Sequence, residues 1–349
     1  MKSRGKSPPR SNRFAFSATP SAGEEAPARP PACSFLVCMF KKFFCLFIAF
    51  SIFPLVFAQT PSVRLGILKG IACTPCAYLI ENKAKLAVQN MAFKVFDSEQ
   101  SELPALLKGE VDLGFLAPQN AAKVFSKGKG AVIFLGVVQN GNLFLLTSDE
   151  SYSSLKDLQG KKVLSAGEKP DSLIFKHLLS KKEIPLGQGE NPVQLDFSIP
   201  PANIANALIT KKADYAILTE PYATVALKNS KEIRRVENFQ KIYNESEEWS
   251  SFPAMLLVAR ADFVRENREL VRRVTEVYKS ALSWTNQNPA KAALLSERHG
   301  LYHSSEIVRS SIPSAALVWR ESNTAKSDME KYLTILGKEI PGEDFYFNR

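Results

Sequence analysis

Cysteine is scarce in this chain of 349 residues: Cys33, Cys38 and Cys45 lie before residue 58, and only Cys73 and Cys76 follow it. Two cysteines cannot build a disulfide scaffold or a four-thiolate metal centre. Histidine is also rare. Of the three, His299 and His303 stand at an i, i+4 spacing, but Gly300 between them weakens the helix a two-histidine metal site would need, and His177 reads as a surface helix residue. No Ser/His/Asp set, phosphate-cradling glycine loop or dinucleotide fingerprint is present, which leaves the commonest hydrolytic and nucleotide chemistries without a sequence basis. A dense Lys/Arg run with interleaved aromatics is missing too. The formal charge of +10 is misleading, because residues 1–58 hold eight Lys/Arg against two acids and the remainder has 37 against 33. That balance leaves no nucleic-acid footprint.

Long apolar runs are absent except for one. Lys41-Lys42 precede Phe43 to Phe57, and Val56-Phe57-Ala58 supplies branched and small residues before Gln59. The run is about 15 residues, against about 20 for a membrane span, so 39–58 reads as a secretory signal cleaved after Ala58, with a retained anchor as the rival. Residues 1–38, rich in Pro, Ser, Arg and Ala, read as disordered. No lipidation-type cysteine follows, so a soluble exported protein is expected.

One segment is used twice. Lys108-Gly-Glu-Val-Asp-Leu-Gly-Phe-Leu-Ala-Pro-Gln-Asn120 returns as Lys211-Lys-Ala-Asp-Tyr-Ala-Ile-Leu-Thr-Glu-Pro-Tyr222, with Asp112 and Asp214 102 residues apart. Each copy follows a short amphipathic helix (Leu103, Leu106, Leu107; Ile204, Ala207, Leu208) and ends on a Pro, Pro118 or Pro221, that can open the next helix. Half of an α/β lobe occurring twice predicts two lobes with a cleft between them.

Strands are predicted at 63–68, 93–96, 131–138, 143–147, near 163, at 193–199 and at 252–259. Asn229–Ser251 reads as charged and irregular, and the tail from Asp262 as helical. Thr74-Pro75 reads as an N-cap and first helical residue, opening a helix that runs to about Val88. Alternating βα units predict largely parallel sheets buried on both faces. In such sheets the crevice lies beyond the strand C-termini, at 69–75, 117–120, 165–172 and 219–222, with Gln139-Asn140-Gly141 as a fifth candidate. Asp112 and Asp214 sit at the other end of their strands and read as turn residues.

Leu155-Lys-Asp-Leu-Gln-Gly-Lys-Lys-Val163, Gly167-Glu-Lys-Pro-Asp-Ser-Leu-Ile-Phe-Lys-His-Leu-Leu179, Ala213-Asp-Tyr-Ala-Ile-Leu-Thr-Glu-Pro-Tyr222, Leu116-Ala-Pro-Gln-Asn-Ala-Ala122 and Ile340-Pro-Gly-Glu-Asp-Phe-Tyr346 carry a resemblance. Together they resemble the solute-binding proteins of ABC importers, in the branch that handles sulfonates, nitrate and thiamine-precursor pyrimidines. The resemblance implies an α/β, two-lobed type II periplasmic-binding fold with a two-strand hinge. Its lobe one would be 59–147 plus 251–349 and lobe two 148–250, after a leader at 1–58. It also implies a monomer in the periplasm, a small-molecule ligand (sulfonate, pyrimidine or amino-acid-like), a permease and its ATPase as partners, and no cofactor. An enzyme on the same fold is one alternative, and a thiol–disulfide protein using Cys73-Thr-Pro-Cys76 is another. That pair departs from the family's Gly-, Pro- and Ser/Thr-rich loop.

The expected ligand residues are Lys69, Thr74, Gln119, Asn120, Gln139, Asn140, Gly167, Ser172, Glu220 and Tyr222. Loop N–H groups and helix dipoles favour an anionic or acceptor-rich group. Glu220 favours a cation or an N–H donor, or else only complements its own helix. Tyr222 is the expected stacking residue; Trp249 and Phe144 are further candidates whose first reading is core or surface packing. Cys73 and Cys76 stand either as a local disulfide or as thiols lining the loop. Ala117–Asn120 and Thr219–Tyr222 are expected to face each other across the cleft.

Overall fold

The computed structural model describes residues 62–86, 90–248 and 250–348. The leader, its signal and Trp249 lie outside the described residues. No described helix is long and apolar enough to cross a membrane.

Two sheets organise residues 62–348. The first runs β11-β4-β10-β3-β1-β2 and the second β7-β6-β8-β5-β9. In the first, β1 (Val63–Leu68) pairs in parallel with β2 (Met91–Phe96) and β3 (Leu113–Leu116), and β10 (Pro253–Arg260) adds antiparallel to β3. The second repeats this pattern: β6 (Lys162–Leu164) is parallel to β7 (Gln194–Asp196) and β8 (Tyr215–Thr219), and β5 (Leu143–Thr147) adds antiparallel to β8. Next outward, β4 (Val132–Asn140) and β9 (Arg234–Asn238) are again antiparallel. The expectation of largely parallel sheets is therefore corrected. Each βαβ half is parallel; β10 and β5, which the chain enters after crossing from the other sheet, are inserted antiparallel, and β4 and β9 beyond them run in the direction of the parallel half.

Those crossings define the frame. The chain leaves β4 in the first sheet and enters β5 in the second through Gly141-Asn142, ahead of the expected Thr147-Ser148, so β5 belongs to the second sheet. Gly141 N–H donates to Phe252 O (2.8 Å) and to Gln240 Oε1 (2.9 Å), which ties this crossing to the return through 250–252. A Cβ at Gly141 would fall 2.0 Å from the Phe252 ring. The helix Lys326–Ile335 spans both sides: Met329 and Leu333 sit in the first sheet's core, while Tyr332 and Leu336 sit in the second's.

Other boundaries shift for local reasons. The helix opened by Pro75 ends at Asn82, well short of Val88. The strand expected over 193–199 is three residues of half-exposed edge, closed by Pro200-Pro201. Asn229–Ser251, read as irregular, holds β9 and the helix Phe239–Ser246. β9 escapes pattern reading because Arg-Arg-Val-Glu-Asn is a polar edge strand with no apolar alternation. β11 (Leu317–Glu321, Leu-Val-Trp-Arg-Glu) interrupts the helical tail as a short edge strand paired with β4.

Candidate functional site

The repeated element places unlike side chains at its two copies. Asp112 is buried and accepts from Arg64 N (2.9 Å) and Arg64 Nε (2.9 Å), pinning β1 to β3, whereas Asp214 is exposed. Neither lies at the strand ends that bound the cleft.

At those ends two recesses open between the sheets. One, of about 350 Å3, is lined by Leu68 to Cys73 after β1 and by Glu220, Pro221 and Tyr222 after β8. Met255, Leu301, Tyr302 and His303 complete it. The other, of about 460 Å3, is lined by Gln119 and Asn120 after β3, by Glu168 to Pro170 after β6, and by Lys338 and Glu339 of the tail. The pairing across the cleft is thus crosswise, corrected from the facing of like copies expected above. The β1 loop meets the β8 loop, and the β3 loop meets the β6 loop. Crosswise meeting is what two lobes with the same strand order give when turned to face each other.

Lys69, Cys73, Glu220 and Tyr222 therefore share the first recess, and Gln119 and Asn120 the second. Thr74, Gln139, Asn140, Gly167 and Ser172 line neither. Gln139 donates through Nε2 to Ala315 O (2.8 Å), and Ser172 through Oγ to Lys169 O (3.0 Å), so both are spent on the scaffold. Gly167 takes φ +95 in the turn after β6. Thr74 occupies the expected cap position but makes no capping bond. Its hydroxyl, like Asn140 Oδ1, Gln119 Oε1 and Ser165 Oγ, is buried without a partner among the described residues.

Glu220 resolves in favour of the quieter role. Its carboxylate pairs with Arg235 and accepts Thr224 N (3.1 Å) at the start of the helix Tyr222–Asn229. The Arg235 guanidinium stacks over Phe144, 4.0 Å from the ring centroid, so Phe144 supports this pair and is not a ligand platform. Tyr222 is the contrast: 44 % exposed, it stands open at the recess. Beside it Tyr302 has a raised pKa from burial and from the proximity of Tyr222 and Glu220. Lys69 is half-exposed and pairs at 2.5 Å with the exposed Asp97, a contact weak enough to exchange for a ligand. The loop donors expected to be free are partly used: Lys69 N–H donates to Phe96 O (2.9 Å) and Gly70 N–H to Leu301 O (3.1 Å).

Cys73 and Cys76 are buried, unbonded thiols in the first lobe's core, and this corrects the disulfide reading. Burial, their mutual proximity and Glu102 push the Cys73 thiol well up, and burial with Glu102 does the same for Cys76. A thiol–disulfide catalyst needs the opposite, an accessible and acidified thiol. His299 turns to Glu81 (2.9 Å), and His303 alone reaches the cleft; among the described residues no His/Cys/Asp/Glu group could hold a metal. His177 is tied to Glu247 (2.7 Å) and is not a bare surface residue.

Met255, Leu301, Tyr302 and His303 were not legible as site residues. The tail reaches the cleft because Trp284 stacks on Tyr78 at 4.2 Å, locking the C-terminal helices beside the β1 loop. No local signal announces that contact. Asn120 was legible but is committed, since its amide donates to Glu99 Oε2 (2.9 Å).

With this geometry in place, comparison with known proteins gives a consistent outcome. The family described as NMT1/THI5 like matches residues 80–292. A binding protein of Brucella abortus is 23% identical over 199 residues, which is 57% of this chain and 58% of the relative, so the match spans just over half of that relative's length. An ABC transporter protein from Parabacteroides distasonis superposes with TM-score 0.67 at 18% identity, covering 82% of this chain and 99% of the other. The periplasmic aliphatic sulphonate binding protein of Escherichia coli gives 0.64 at 16% identity, covering 83% and 93%. The chain thus has the two-lobed periplasmic-binding fold.

Proposed function

Because the chain belongs to the NMT1/THI5-like family, we propose that it is the extracytoplasmic solute-binding protein of an ABC importer, capturing a small organic anion with an apolar or aromatic body. One observation carries the ligand class. The recess between the β1 and β8 loops is walled by Leu68, Ile71, Met255, Leu301 and two tyrosines, holds the cation Lys69, and has its one carboxylate neutralised by Arg235. An anionic head can replace Asp97 on Lys69 while its body lies against Tyr222 and Tyr302.

The magnitudes fit a micromolar ligand, which needs about 8 kcal/mol. A body burying roughly 200 Å2 of apolar surface supplies about 5 kcal/mol. Stacking on a tyrosine adds about 1 kcal/mol. The head group on exposed Lys69 adds up to about 1 kcal/mol, and this charge favours a permanently charged anion such as a sulfonate over a neutral pyrimidine or a zwitterionic amino acid.

In this reading the lobes turn about Gly141-Asn142 and 250–252, and the closed form is the one presented to the permease and its ATPase. The protein acts as a single protomer, reaches the periplasm through the 39–58 signal, and releases its ligand chemically unchanged. The test is a thermal-shift screen with alkane- and arylsulfonates, aminopyrimidines and amino acids, followed by native mass spectrometry of the retained ligand. Sulfonates should raise the melting temperature most. If saturating compounds of every class leave it unmoved, or the ligand comes back altered, the proposal fails.

A further inference from the structure

Two buried carboxylates lie outside both recesses. Glu102, on the helix Glu99–Leu107, belongs to lobe one alone. It rests in a slot over the β1–β3 pair, where a Cβ at Gly66 would fall 2.6 Å from its Oε1 and one at Gly114 2.8 Å, and it accepts the Phe115 N–H (3.1 Å). Glu247 faces both lobes. It stands at the C-terminal end of the helix Phe239–Ser246, just before the return crossing, and is 7 % exposed. From the helix Pro170–Lys181 of lobe two, His177 Nε2 (2.7 Å) and Lys181 Nζ (3.0 Å) reach its Oε1. From the helix Lys326–Ile335, Lys331 Nζ donates to its backbone O (3.1 Å) and lies 3.7 Å from Oε2.

The same helix holds the crossing a second time. Asp328, three residues before Lys331 and so on the same face, accepts the Ser251 N–H (3.2 Å). It also pairs with Arg320 of β11, whose Nη2 donates to Ser251 O (3.4 Å). From lobe two, Asn244 Nδ2 donates to Ser250 O (2.7 Å) and to Ser251 Oγ (3.0 Å). Tyr332 stacks on Phe252, with ring centroids 6.1 Å apart and planes within 10°. The helix is rooted in lobe one by Met329 and Leu333, while Leu336, Lys338 and Glu339 beyond its end line the second recess. One helix thus touches both the hinge and the cleft. The lobes also meet elsewhere, where Lys228 of the helix Tyr222–Asn229 reaches Glu306 (2.7 Å), so the grip is seen with the lobes in contact.

We propose that the helix Lys326–Ile335 is a brace on the hinge, with Lys331 and Asp328 as positioning residues that hold the lobes toward the closed arrangement and so raise solute affinity from outside both recesses. A hinge opens by changing the dihedrals of a few crossing residues. Here the N–H and the C=O of Ser251 and the carboxylate before it are all gripped from lobe one. Opening carries Glu247 away with lobe two while Lys331 stays with lobe one, so their contact counts only toward the closed form. Burial raises the Glu247 pKa, but His177 and Lys181 outweigh it and hold the group below the usual carboxylate range. Losing Lys331 therefore cuts the link between lobes and leaves no buried charge bare. The effect on affinity rests on the solute-binding reading; the lobe separation of the ligand-free chain does not.

The experiment is pulsed electron-spin distance measurement on the ligand-free full chain. Spin labels go on Lys231→Cys and Lys291→Cys, exposed positions near the Lys228–Glu306 contact, since Cys73 and Cys76 are buried. Lys331→Met keeps the stem without the charge and should shift the distribution to longer separations, moving the melting temperature by no more than about 4 °C. Asp328→Asn should shift it the same way, and Lys331→Arg should restore the wild-type distribution. Lys181→Met takes a cation from the same carboxylate within lobe two and should change nothing. In calorimetric titration with butanesulfonate, Lys331→Met should bind up to about fivefold more weakly. An unshifted distribution in Lys331→Met or in Asp328→Asn overturns the proposal, and so does an equal shift in Lys181→Met. A shift in both variants of the brace, with no butanesulfonate binding in the wild type, upholds the brace and counts against the solute reading alone.

Discussion

The two lobes share a strand order and pairing sense, yet they fill the space over their central strands with opposite chemistry. At the offset of 102 residues that relates Asp112 to Asp214, Glu102 corresponds to Ile204 and Gly114 to Ala216. Gly66, beside Gly114, corresponds to Leu164, which pairs with Ala216. Leu164, Ala216 and Ile204 pack together in one buried apolar cluster. The same niche is thus filled by two glycines and a carboxylic acid in one lobe, and by leucine, alanine and isoleucine in the other. The buried acids contrast as well. Glu102 is relieved by a proton, and Glu220 by Arg235.

The comparison can be broken at several points. The largest effect is expected from Ile204→Glu, which puts a carboxyl into the apolar niche with no glycine slot and no donor. Chemical denaturation should show a loss of about 5 kcal/mol or a chain that fails to fold. Next is the pH dependence of Glu102. Its folded pKa, about 8, lies above the ordinary carboxylate value, so its contribution is fully present below about pH 4.5 and is lost as pH rises to about 8. Wild-type stability should fall over that window by on the order of 3–5 kcal/mol, and Glu102→Gln should remove that component of the slope. Arg235→Gln leaves Glu220 buried without its cation and should cost about 3 kcal/mol in the same assay. At the small end, Lys228→Ala cuts the exposed contact to Glu306 (2.7 Å) that bridges the helices Tyr222–Asn229 and Ser305–Ser311, and should leave the unfolding midpoint within error.

How much of this was legible follows from the same contrast. The duplicated Asp-strand-Pro element announced two α/β halves, because strand alternation and Pro-started helices are local signals. Loops 69–75, 117–120, 165–172 and 219–222 were located for the same reason. What the residues could not reveal was which loops meet, since that depends on how the two sheets face each other. Strand β5 was read into the wrong half because an apolar run carries no mark of its partner sheet. Glu220 and Asn120 looked like ligand groups until Arg235 and Glu99, 15 and 21 residues away in sequence, were seen to occupy them. Glu102 drew no notice in a helix of mixed polarity, and its meaning depends on Gly66 and Gly114, which only strand pairing brings beneath it.

The central claim, a cleft that takes a small organic anion between the β1 and β8 loops, is tested most directly by calorimetric titration of wild type and Tyr222→Ala with butanesulfonate. The account predicts one site in the wild type, and affinity about tenfold weaker in Tyr222→Ala with an unchanged melting temperature in the absence of ligand. Saturable binding that Tyr222→Ala leaves untouched, or no saturable binding in the wild type, would contradict it.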